Sequence, residues 1–207
     1  MLAYIKGELA TKNIDYVVID VGGLGYKVFM SQFGIDNIGN IGDKVKVHTY
    51  YRVKEDDISI YGFNTPEELR MFELLISVSG VGARTAVTML GMIEPSEFAI
   101  AVISNDINKL KQIPGIGTKS AQRIVLELKD KLKKEQQITE LTNTSRETKT
   151  KVKNAIETDD TISEATTALQ VLGYTKNDID KALERIDQTN ITLEELIRSA
   201  LKILSTK

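Results

Sequence analysis

The sequence has no cysteine and one histidine among its 207 residues. The first absence excludes disulfides and thiolate zinc sites. The second means that His48 cannot build a histidine triad or a metal cluster; in the strand-like run KVKVHTYY it reads as a packed or surface side chain. No apolar run approaches the roughly 20 residues of a membrane span. The opening, MLAYIKGELATKNIDY, lacks a basic region followed by an apolar one, so no signal peptide is expected and the chain is expected in the cytoplasm. There is also no excess of positive charge. Lys+Arg number 27 against 29 Asp+Glu, for a net charge of −2 and a pI of about 5.6. That excludes a globally basic nucleic-acid binder. Nor does any long segment stand out: residues 1–64 carry 7 Lys+Arg against 8 Asp+Glu, residues 65–135 carry 10 against 9, and residues 136–207 carry 10 against 12. A nucleic-acid site in this chain must be a local face.

Two nucleotide signatures are missing as well. A phosphate loop needs G-x-x-x-x-G-K-[ST], and the nearest segment, Gly117-Thr118-Lys119-Ser120, puts a threonine between glycine and lysine. A dinucleotide fingerprint needs a preceding strand, and the glycine turns here lie between helical patterns. No cofactor or metal is expected.

What remains is 42% hydrophobic and 27% charged, the balance of a soluble globular protein. Its centre is Leu110 to Lys131, LKQIPGIGTKSAQRIVLELKDK. A helical pattern breaks at Pro114, turns through Gly115-Ile116-Gly117, and enters a helix striped by Ala121, Ile124, Val125, Leu128 and Leu132. The amides from Ile116 to Lys119 are expected to face outward at a helix N-terminus, where free N–H groups and the helix dipole favour a phosphate. Lys119 and Arg123 add cations. The same grammar occurs in LLISVSGVGARTAVTML, Leu74 to Leu90. Superposing the glycine pairs sets Gly80 on Gly115, Gly82 on Gly117 and Arg84 on Lys119. Two such copies form a tandem helix-hairpin-helix module, which grips a duplex backbone through main-chain amides without reading bases.

The rest of the chain divides around that module into an α+β multidomain protein. Residues 1–63 are expected to form five or six short strands closing as an OB-like β-barrel. A hairpin in it ends in Lys54-Glu55-Asp56-Asp57 between the aromatic arms HTYYRV and ISIYGF. Those acids are either a solvated turn or a negative finger beside a DNA path. Residues 64–135 are helical, opening at Thr65-Pro66-Glu67-Glu68. Residues 136–158 lose apolar periodicity and read as a flexible linker. Residues 159–207 read as a three-helix bundle with a Leu172-Gly173-Tyr174 turn and a capping box at Thr175.

HTYYRVKEDDISIYGF, SVSGVGARTAV and QIPGIGTKSAQRIVLELKD together resemble the RuvA family, and the resemblance spans the whole chain. It implies a non-catalytic DNA-binding protein that holds four-way (Holliday) junctions open in recombination, repair and the SOS response to DNA damage. It implies a homotetramer or octamer, the RuvB motor ATPase as partner and the RuvC resolvase in a larger complex. By resemblance the DNA backbone is held by Gly80, Val81, Gly82, Ala83 and Arg84, and by Gly115, Ile116, Gly117, Thr118, Lys119 and Arg123. Glu55, Asp56 and Asp57 form an acidic pin at the junction centre. The C-terminal module, of ubiquitin-associated type, docks on RuvB through Leu169, Leu172, Tyr174 and Leu201. Two other readings stay open: a helix-hairpin-helix enzyme such as a junction nuclease, using the three consecutive acids to hold metal, and a protein-only adaptor with structural hairpins.

Overall fold

The computed structural model describes residues 2–55, 57–142, 156–188 and 191–204. Five strands, β1 (Tyr4–Lys12), β2 (Tyr16–Val21), β3 (Leu24–Phe29), β4 (Lys44–Val53) and β5 (Ile58–Phe63), close into a barrel in the order β1-β2-β3-β5-β4. All pairings are antiparallel except β3 with β5, which closes the barrel in parallel. The alternating strands put Ile5, Leu9, Val17, Ile19, Val28, Val45 and Val47 inside. The interior is tight enough that a Cβ on Gly62 would collide with Val28 and Val47 side chains.

One element departs from the all-β expectation for this region. A short helix, α1 (Gln32–Asn37), follows β3, capped by Ser31, whose hydroxyl accepts the Gly34 amide at 3.0 Å. Its Ile35 plugs the barrel end.

The helices that follow are α2 (Pro66–Ile76), α3 (Ala83–Leu90), α4 (Pro95–Ile103), α5 (Ile107–Lys111) and α6 (Thr118–Thr142). After them come α7 (Ile156–Val171), α8 (Lys176–Leu183) and α9 (Leu193–Leu204). Thr65, Asp106 and Thr175 each cap a helix with a side-chain oxygen. Thr192 and Glu195 exchange the two bonds of a capping box. The stretch expected as a linker is helical at both ends, since α6 continues to Thr142 and α7 begins at Ile156; residues 143–155 lie outside the described residues.

The chain forms two compact units. One comprises residues 1–77 and 81–95, and the other residues 78–80 and 96–207. In the first, α2 presents Phe72, wholly buried, to Tyr50, Tyr61 and Phe63 of the barrel's outer face, with ring centroids 4.9 to 5.4 Å apart. In the second, α7, α8 and α9 bury Ala165, Ala168, Leu169, Leu172, Ile179, Leu183, Leu196 and Ile197.

Candidate nucleic-acid interface

The two glycine turns follow the same backbone course at an offset of 35 positions (80 to 115). The offset aligns buried positions as well as glycines: Leu75 with Leu110, Val78 with Ile113, Val81 with Ile116, Ala86 with Ala121 and Met89 with Ile124. Gly80 and Gly115 share a φ of +85°, the left-handed value that a type II turn requires at its third residue. In the second turn the Ile116 amide closes the turn on the Ile113 carbonyl at 3.0 Å. That corrects one expectation, because this amide is spent inside the protein and does not face outward.

Between the glycines the chain dips inward. Val81 and Ile116 are 8% and 5% exposed, while the glycines on either side of each are exposed. The apolar side chain nails the turn to the core and turns the glycine edges to solvent.

The second glycine of each turn has a different status from the first. Gly82 has φ −87° and ψ 164°, ordinary extended backbone, and a Cβ there would meet nothing within 4 Å. Gly117 also lies outside the left-handed region and also faces open space. Neither conformation nor internal packing asks for glycine at these two positions. An approaching backbone from outside the chain would.

Each of these glycines begins a helix: its carbonyl accepts the first helical bond, from Ala86 at 3.0 Å and from Ala121 at 2.9 Å. The amides of Ala83 to Thr85 and of Thr118 to Ser120 therefore have no helical acceptor. Other helix starts carry acids in the first turn, Glu67 and Glu68 on α2 and Glu194 and Glu195 on α9, or a side-chain cap, Ser31 on α1 and Asp106 on α5. The first turns of α3 and α6 hold no acid, and Gly82 gives no side-chain cap. They hold Arg84 and Lys119 instead, both exposed, at the end of the helix where the dipole disfavours a cation by about 0.3–1 kcal/mol. Bare amides, a cation and an unobstructed glycine edge make a cradle for an anion.

Arg123, expected beside the phosphate, reaches from α6 to the first glycine turn. Its Nη1 donates to the Ser79 carbonyl at 3.3 Å, and its Nε lies 3.9 Å from Glu127. Glu127 in turn accepts the Ser79 amide at 3.1 Å. Sequence reasoning did not single out Glu127.

At the β4–β5 hairpin the Lys54 amide donates to the Asp57 carbonyl at 2.8 Å and closes the acidic turn. Glu55 is exposed at its tip, and Asp56 lies outside the described residues. The Asp57 carboxylate serves the turn: it accepts the Ser59 hydroxyl at 2.6 Å and lies 3.7 Å from Arg52. Among the described residues no three acids and histidines gather as a metal-holding group.

The expected docking patch needs correction. Leu169, Leu172 and Leu201 are 0%, 1% and 8% exposed, inside the C-terminal bundle, and Tyr174 is half-buried. They are the bundle's core.

A closed five-stranded barrel and paired glycine-turn hairpins with bare helix starts define a class, the OB-like-barrel proteins with a tandem helix-hairpin-helix domain. Comparison with known families narrows it: residues 1–62 match the RuvA N terminal domain, residues 72–130 the SAM-like helix-hairpin-helix tandem, and residues 160–205 the RuvA C-terminal domain. The chain is 48% identical over 206 residues to the Holliday junction branch migration complex subunit RuvA of Acetivibrio thermocellus, covering 99% of both chains. It is 45% identical over 204 residues to the protein of the same name from Ruminiclostridium cellulolyticum, covering 99% of this chain and all of that one. The chain belongs to the RuvA family.

Proposed function

We propose that this chain is the DNA-binding, non-catalytic subunit of a branch-migration complex. It holds four-way junctions open and recruits a RuvB hexameric ATPase that drives migration in recombination and repair. It acts in the cytoplasm as a homotetramer or octamer, with RuvC joining a larger complex. The cradles at Gly80–Arg84 and Gly115–Lys119 take the phosphates of the arms, and Glu55 with Asp56 forms the acidic pin at the crossing point. The observation that carries the reading is the pair of bare helix starts, where Gly82 and Gly117 have no internal reason to be glycine. Main-chain donors hold phosphate without reading sequence, as a mobile junction demands. The overall negative charge fits too, since acids elsewhere deter indiscriminate duplex binding.

The test is a gel shift of labelled four-way junction against excess linear duplex, with and without Mg²⁺. Retained junction binding, uncut DNA and ATP-dependent migration after addition of RuvB are expected. Cleavage in Mg²⁺ by this protein alone favours the nuclease reading, and no shift at all favours a protein-only adaptor.

A further inference from the structure

The two hairpin turns are alike in backbone but differ at the residue before the left-handed glycine. In the second turn this is Pro114. Its ring fixes φ near −65°, the value required at the second position of a type II turn, and it brings no amide to satisfy. In the first turn it is Ser79, exposed, with a free φ and an amide proton.

Helix α6 supplies what Ser79 lacks. Glu127 accepts the Ser79 amide at 3.1 Å, Arg123 donates to the Ser79 carbonyl at 3.3 Å, and Arg123 Nη1 is 3.5 Å from the Ser79 hydroxyl. Both main-chain polar groups of one residue are thus held by two side chains one turn apart on one helix, within one compact unit. The pair is poorly explained as helix reinforcement, because a base four residues ahead of an acid is the weaker order. It is also poorly explained by charge, because a carboxylate beside a phosphate cradle repels the ligand.

We infer that Glu127 is a positioning residue for the phosphate grip. Directly and through Arg123, it fixes Ser79 in the first turn as the proline ring fixes position 114 in the second. Arg123 is thereby committed to the turn rather than to phosphate. The inference rests on the cradle reading above.

The experiment titrates junction DNA with the full-length protein at several salt concentrations. The variants are Glu127→Ala, Ser79→Pro, Ser79→Pro/Glu127→Ala, Arg123→Gln and, as a control for the cradle itself, Gly82→Asp. Removing an acid near DNA should tighten binding if charge alone matters. Positioning requires the opposite: Glu127→Ala binds about fivefold more weakly, the worth of one hydrogen bond. The slope of log affinity against log salt stays unchanged, because no phosphate-neutralising cation is lost. Ser79→Pro binds like the unaltered protein, and in the double variant the proline restores affinity to within about twofold, less than half the worth of one hydrogen bond. Glu127→Ala binding at or above the unaltered strength overturns the inference, as does a double variant as weak as Glu127→Ala. Arg123→Gln lowering the salt slope by about one per subunit also overturns it, by placing Arg123 on a phosphate. Those results, with Gly82→Asp still defective, leave the cradle standing. Normal binding by Gly82→Asp removes the cradle and this inference with it.

Discussion

Replacing Gly82 by aspartate sets stability against binding. Gly82 is the cap residue of α3, in extended backbone, with no side-chain cap and no atom within 4 Å of an added Cβ. Aspartate is among the best cap residues and improves on glycine by a few tenths of a kcal/mol. Removing glycine's freedom in the unfolded chain adds about 0.4–1 kcal/mol. A carboxylate at the positive end of the dipole adds about 0.3–1 kcal/mol. These overlap, so the net gain is about 1 kcal/mol, or about 2–4 °C in melting temperature for a chain of this size. Binding goes the other way. A carboxylate about 4 Å from a phosphate, at an effective dielectric of about 20, is repelled by about 4 kcal/mol. Screening reduces this, and even a quarter of it weakens binding about fivefold. Gly117→Asp should behave alike. Gly80→Ala and Gly115→Ala, forced to hold φ near +85°, should instead lower the melting temperature, at a cost of about 1–2 kcal/mol. The assay is a thermal melt paired with a junction titration for all four variants. Gly82→Asp and Gly117→Asp that melt normally and bind junction DNA at full strength refute the cradle. A Gly82→Asp protein that fails to fold refutes the claim that the fold does not need this glycine.

The double variant Glu55→Gln/Asp56→Asn should bind junctions as tightly or more tightly and discriminate less against linear duplex; paired titrations check this, and much weaker junction binding with unchanged duplex binding would end the pin reading. Asp57 is left out because its carboxylate holds the turn through Ser59 and Arg52. Ending the chain at Thr142, the last residue of α6, should spare junction binding and abolish RuvB-driven migration in a strand-displacement assay. Burial, then the neighbouring Lys46, pushes the His48 imidazole below its ordinary value, although Glu67 opposes this. The folded protein therefore binds fewer protons than the unfolded chain, so stability falls as pH drops below about 6.5. Urea midpoints at neutral and acidic pH should show His48→Gln losing part of that fall, and an unchanged pH dependence would refute the assignment.

Much of this was legible in the sequence, because local chemistry decided it. Glycine pairs, alternating β-branched residues and caps such as Thr65 and Thr175 act over a few positions, and each appears where it was read. Helix α1 escaped because six residues between strands carry too short a pattern, although Ser31 signalled its start. The docking role of Leu169, Leu172 and Leu201 came only from the family resemblance, and no local signal in the sequence carries it; their burial is what an apolar position in a small helical bundle leads one to expect. The contact of Glu127 with Ser79 spans 48 positions, and no local signal connects them.

The Val81 and Ile116 plugs, with their glycine shoulders turned outward, have a consequence for motion along DNA. A protein that grips through base edges meets a barrier at every unfavourable step, about 1–3 kcal/mol for each mismatched pair. A grip made of main-chain amides meets the same phosphates at each register, so one base pair feels like the next. On the proposed function, a junction pushed through the complex by a motor would meet a track without detents. The motor's work would then go into rotation and displacement of the strands rather than into leaving preferred sequences.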